Sequence, residues 1–99
     1  MPDIALEVRN PSGLHARPAA LFIETARAFE ADVQVTNLTR KPEKAASARS
    51  LLAVLALGVS RGHMIRIAAD GVDAHEAITA LRELVESGMG ESPEPDVPA

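Results

Sequence analysis

Apolar and polar residues alternate at the start of the chain. Ile4, Leu6 and Val8 interleave with Asp3, Ala5, Glu7 and Arg9, the two-residue period of a half-buried strand. Asn10-Pro11-Ser12-Gly13 is dense in turn formers and ends it. From Ala16 the period lengthens. Ala19, Phe22, Ile23, Ala26 and Phe29 predict an amphipathic helix whose outer face carries Arg17, Glu24 and Arg27. Pro18 fits there, because the first helical turn has amides without intrahelical partners anyway. Alternation returns over Asp32 to Leu38, with Val33 and Val35 on one face. The polar connector TRKPEKAASA follows, with a short strand around Lys44 to Ala46. Leu51, Leu52, Val54, Leu55 and Leu57 predict a short, very apolar helix that stops at Gly58 and is capped by Ser47 or Ser50. His63 to Ala69 reads as a strand with Ile65 and Ile67 inward, and Asp70-Gly71 as a turn. Asp73 and Glu76 form a capping box in its Asp variant. The helix behind it aligns Ala74, Ala77, Ile78, Leu81, Leu84 and Val85, with Gly88 as its stop.

The order is β-α-β-β-α-β-α. One apolar sheet face and three amphipathic helices to cover it predict an α+β fold. It is an open-faced, two-layer sandwich with a four-stranded, mostly antiparallel sheet.

Composition narrows the function classes. The 99 residues are 46% apolar, but Phe22 and Phe29 are the only aromatics, so Leu, Ile, Val and Ala must build the core. There is no cysteine, which excludes disulfides and thiolate chemistry. The start MPDIALEVRN lacks the basic-then-apolar layout of a signal peptide. The longest apolar run, LLAVLALGV, has nine residues, against the roughly 18 to 20 of a membrane span. A cytoplasmic protein without membrane insertion is expected, and a monomer. A net charge of −4 speaks against a nucleic-acid partner. The end, SGMGESPEPDVPA, combines prolines and acids without a base. It predicts a disordered tail or linker over residues 88–99 behind a folded domain of residues 1–87. Without Glu91, Glu94 and Asp96 the formal charge is −4 + 3 = −1.

No P-loop, GxGxxG, HExxH or GxSxG motif is present. His15, His63 and His75 fall in a loop, a strand and a helix start, without metal-ligand spacing. Neither metal nor cofactor is expected. His15 differs from the others in its surroundings, PSGLHARPAA. Gly13 allows a sharp turn, and a helix begins within two residues. The free amides of that first turn favour an anion and a neutral imidazole. Arg17 brings a planar guanidinium suited to phosphate oxygens, and Pro18 restricts the local geometry. A nucleophilic nitrogen, oxygen-binding donors and a balancing charge are the parts needed to seat a phosphoryl group. By spacing alone, an incidental histidine before a helix explains the stretch as well.

The run GLHARPAA, together with SLLAVLALGV and the element order, resembles HPr, the histidine-containing phosphocarrier family of the bacterial phosphoenolpyruvate-dependent sugar phosphotransferase system. The likeness covers about residues 3 to 87. It implies that His15 accepts a phosphoryl group on Nδ1 from enzyme I and passes it to enzyme IIA domains. Arg17 then attends the phosphohistidine, with Gly13, Ala16 and Pro18 in support. The carrier would have no turnover of its own. In Gram-positive members of the family a serine at the start of the second helix is phosphorylated by a kinase. Counting back from Leu57-Gly58-Val59 puts the equivalent at Ser50, after Arg49; a plain helix cap is the alternative role. The connector TRKPEK is about four residues longer than usual, and Ser47 replaces a common asparagine, which puts recognition by such a kinase or phosphorylase in doubt. Leu51 and Leu52, ringed by Arg17, Arg27 and Arg49, form the expected partner surface. Two other readings stand beside this one. The domain could belong to a fused or regulatory phosphotransfer protein of the fructose-specific or dihydroxyacetone kinase type. It could also be a ligand-sensing module that never carries phosphate.

Overall fold

A computed structural model describes residues 2–91. Strands β1 (Asp3–Glu7), β2 (Asp32–Asn37), β3 (Ala45–Ser47) and β4 (Met64–Asp70) form one sheet in the order β1-β4-β2-β3. All three pairings are antiparallel. Helices α1 (Ala16–Arg27), α2 (Leu51–Ala56) and α3 (Ala74–Glu86) supply the second layer. β1 and β2 run the same way with β4 between them, and β3 and β4 do so with β2 between them. The chain is thus two interleaved β-α-β crossovers.

Register follows from the two-residue period. Ile4 faces Ile67, Ile67 faces Val35, and Val35 faces Ala46, one apolar row across all four strands. Shifting any strand by one residue would turn its row to solvent, so the pattern fixes the pairing. Phe22 from α1, Val54 and Leu57 from the α2 end and Leu81 from α3 close over this row, all fully buried. The opposite sheet face stays open and carries Asp3, Gln34 and Arg66, with Arg66 Nε donating to Asp3 at 2.7 Å.

Two differences from the sequence reading matter. Asp73 makes no capping bond to its own helix. Its carboxylate instead accepts the amides of Glu30 and Ala31, each at 2.8 Å, in the turn between α1 and β2. At φ −109° and ψ 29° its backbone lies outside the extended region from which a cap side chain reaches back over the first turn. The second difference lies past Ser87. Gly88 and Met89 close α3 with bonds to Val85 O and Leu84 O, a Schellman stop. Met89 is fully buried, and packed chain continues to Glu91. The rest of the expected tail, 92–99, lies outside the described residues.

The Glu30 amide, joined more weakly by that of Ala31, holds the Asp73 carboxyl below its ordinary value of 3.8 against an opposing cost of desolvation. A depressed carboxyl stabilises the fold above its unfolded value and loses that contribution as pH falls through the folded one. Asp73→Asn should therefore lower the melting temperature at pH 7, with the gap to the native chain closing below pH 3.8. Thermal melts across that range check it; a constant gap would contradict the charge-based account.

Candidate functional site

The β1–α1 connection is built from its backbone. The Gly13 amide donates to Asn10 O at 3.1 Å, and the Leu14 amide donates to Val59 O at 3.0 Å. Leu14 and Val59 are both buried. Gly13 has φ +59°, and a Cβ there would drive into the Val59 carbonyl and the Ser60 Cα. Only glycine satisfies both the left-handed conformation and the close approach. Buried Asn10 fixes the loop from inside, its Nδ2 donating to Gly13 O at 2.9 Å and to Glu91 Oε1 at 3.0 Å. Its Oδ1 is buried without a partner. Turning the amide over would set its oxygen against two acceptor oxygens, Gly13 O and Glu91 Oε1, so this orientation wins.

His15 is the N-cap residue of α1, extended at φ −83° and ψ −170°, with no side-chain capping bond and its ring exposed. Its carbonyl accepts the Ala19 amide at 2.8 Å and starts the helix. Ala16 and Arg17 are the first two helical positions, so their amides have no intrahelical acceptor. Pro18 is third and has no amide. The donors available beside His15 are therefore two backbone N–H groups and the Arg17 guanidinium. Pro18 is buried, while Ala16 and Arg17 are exposed.

Arg17, Ala20, Glu24 and Arg27 recur at helical spacing on one exposed face of α1. Ala20, Ile23, Glu24 and Arg27 line a shallow groove with Leu51 of α2. Leu51 is 42% and Leu52 80% exposed, so both leucines leave the core to Val54 and Leu57. Arg49 differs from the expected ring of charges. Its Nη2 lies 3.4 Å from the carbonyls of Phe29 and Glu30, and its own carbonyl accepts from Arg27. Its guanidinium is engaged in bracing the turn that follows α1. Ser50 is the N-cap of α2, its Oγ accepting the Ala53 amide at 3.2 Å. Ser47 Oγ accepts the Arg49 amide instead.

The HPr family model, described as the PTS HPr component phosphorylation site, matches residues 3–87. The chain belongs to the HPr family. A multiphosphoryl transfer protein of Escherichia coli O157:H7 is 46% identical over 86 residues, which are 85% of this chain and 22% of that protein. The phosphocarrier protein HPr of Vibrio cholerae is 41% identical over 82% of this chain and 91% of its own length. The crystal structure of HPr-C-His from Thermoanaerobacter tengcongensis superimposes with a TM-score of 0.85 at 42% identity, covering 93% of this chain and 99% of that one. This chain thus spans about a fifth of the multiphosphoryl transfer proteins and nearly all of an HPr. The α+β sandwich with its open sheet is the HPr fold.

Sequence reasoning singled out the residues around the histidine but missed what holds them. Asn10 was read as turn former only, and Val59 as the end of an apolar run. Glu91 was assigned to the tail, because its partners lie nearly 80 residues away. Among the described residues no group of three metal-ligating side chains comes together.

Gly13→Ala should push the loop off the Val59 carbonyl. Thermal unfolding should show a loss of about 1 kcal/mol or more, and hydrogen exchange should show faster loss of the Leu14 amide. Unchanged Leu14 protection would contradict this account of the loop.

Proposed function

We propose that this HPr-family domain is a phosphoryl carrier with His15 as the acceptor. The observation that carries the reading is an exposed imidazole at the start of α1, on a loop locked to Val59, beside two unpaired helix amides and Arg17. A lone pair of the His15 ring (Nδ1, by the family resemblance) attacks phosphorus of a phosphorylated donor. The bond from phosphorus to the donor's leaving atom breaks, and that atom keeps the electron pair. The Ala16 and Arg17 amides and the Arg17 guanidinium offset charge on the phosphoryl oxygens. Enzyme I is the proposed donor and enzyme IIA domains the proposed acceptors. They would meet the Leu51–Leu52 patch and the groove along α1. Because donor and acceptor use the same exposed nitrogen in turn, the domain needs no substrate pocket and no cofactor.

The similarity to multiphosphoryl transfer proteins favours a second setting for the same chemistry, as one module of a longer phosphotransfer chain. Ser50 is assigned to capping α2, which its bond to Ala53 supports.

Incubation with phosphoenolpyruvate and enzyme I should add about 80 Da, the mass of one phosphoryl group, as an acid-labile adduct. His15→Ala should abolish it; an unchanged adduct in that variant refutes the assignment. Arg17→Ala should fold normally and take up phosphate about tenfold more slowly or worse. Leu52→Glu should weaken transfer from enzyme I without changing labelling by phosphoramidate, a small donor that needs no docking surface. Loss of both would place Leu52 in the chemistry rather than the interface.

A further inference from the structure

The C-terminal turn after α3 is bent to reach the His15 loop. Gly88, Met89 and Gly90 take positive φ in succession, at 92°, 50° and 82°. Met89 is the only non-glycine among the described residues to do so. A non-glycine in that region costs energy, and burial of the Met89 side chain compensates for it. Gly90 lies close enough to α1 that a Cβ would meet Leu21 Cδ1 at 3.0 Å. The chain then delivers Glu91, whose amide donates to Gly88 O at 2.9 Å.

The Glu91 carboxylate takes three donors from the loop in front of His15. Oε1 accepts Asn10 Nδ2 and the Ser12 amide, each at 3.0 Å, and Oε2 accepts Ser12 Oγ at 2.8 Å. These are charge-assisted bonds, stronger than their neutral equivalents. The Asn10 side chain, then the Ser12 hydroxyl and amide, hold the carboxyl below its usual value, and the Arg17 guanidinium adds to this from α1. The Arg17 contribution is the smallest of these, and the three hydrogen bonds tie Glu91 to the loop that precedes His15. Glu91 lies outside the residues 3–87 that match the family model.

We propose that Glu91 is a positioning residue of the phosphoryl-acceptor site, a built-in anion that clamps the Asn10–Ser12 turn and is opposed by a phosphoryl group on His15. The inference rests on His15 being the acceptor. Unphosphorylated, the chain offers Arg17 and the loop one anion, Glu91. A phosphoryl group brings roughly −1.5 to −2 further charges to the same guanidinium and loop. The two anions repel, so phosphorylation loosens the Glu91 clamp, and the clamp lowers the affinity of His15 for phosphate by the same factor. Glu91 therefore raises the tendency of the domain to pass its phosphoryl group on.

The test is an exchange equilibrium. Isotope-labelled native protein is mixed with unlabelled Glu91→Gln, catalytic enzyme I and limiting phosphoenolpyruvate, and both phosphorylated fractions are read by mass. Gln keeps the size and one acceptor oxygen but removes the charge. At low salt the E91Q protein should hold the phosphoryl group about two- to fivefold more readily, the weak end of coupling between sites. Molar salt should bring the ratio towards one, because exposed charges are screened. In parallel, the Ser12 amide resonance of the native protein should move on phosphorylation towards its position in E91Q. An equal partition at low salt, a salt-independent ratio or an unmoved Ser12 resonance overturns the role of Glu91 while leaving His15 as acceptor. Absence of any adduct in either protein overturns both.

Discussion

The bond from the Leu14 amide to the Val59 carbonyl holds the functional loop against the body of the protein, and much of the fold exists to present those two groups to each other. Gly13 makes the approach close enough, and Asn10 stiffens the loop from within. On the other side, the turn that carries Val59 is gripped by β1. Gly62 donates to Val8 O at 2.7 Å, and Val8 donates to His63 O at 2.9 Å. The end of β1 and the start of β4 are therefore one rigid corner. His15 extends from that corner into solvent, so its backbone is fixed while its ring stays accessible.

A second anchor supports the corner from the α2 side. Asn37, fully buried at the end of β2, donates from Nδ2 to Leu57 O at 3.0 Å and to His63 Nδ1 at 3.2 Å. Its Oδ1 accepts the amides of Thr39 and Arg40. A buried amide would cost several kcal/mol unpaired; here both ends are satisfied. The result is that the last turn of α2, the connector after β2 and the turn before β4 converge on one side chain. His63 Nδ1 also accepts the Ser60 amide at 3.1 Å, extending the same network to the residue after Val59.

Periodicity made most of the fold legible. Alternation over Ile4, Leu6 and Val8 and over Val33 and Val35 marked strands whose inner faces are those residues, and the 3.6-residue spacing found α1 and α3. What stayed illegible depended on contacts distant in sequence. Asp73 next to Glu76 looks like a local cap, yet two amides of the α1–β2 turn compete for the carboxylate and win. The apolar run at Leu51 and Leu52 left open how far each leucine leaves the core; with Val54 and Leu57 buried both turn outward, Leu52 further than Leu51. At the site, the proposed acceptor and its neighbours stand together in GLHARPAA, whereas Asn10, Val59 and Glu91 act through partners between 3 and about 80 residues away. Glu91 in particular sits in a segment whose composition resembles a tail.

The distribution of arginines shows how one small surface separates structural from functional charge. Arg49 neighbours the exposed Leu51–Leu52 patch in sequence, but its guanidinium faces the Phe29 and Glu30 carbonyls in the turn that follows α1, close to the negative end of the helix. Arg17 occupies the opposite end of the same helix, where the dipole disfavours a cation and no described hydrogen bond holds its side chain. Water solvates the exposed guanidinium there, and an anion that shares the neighbourhood favours it further. The Glu91 carboxylate is one such anion, and on the proposed function a phosphoryl group on His15 is a stronger one. On that proposal the same guanidinium favours the clamp in one state and the phosphorylated ring in the other.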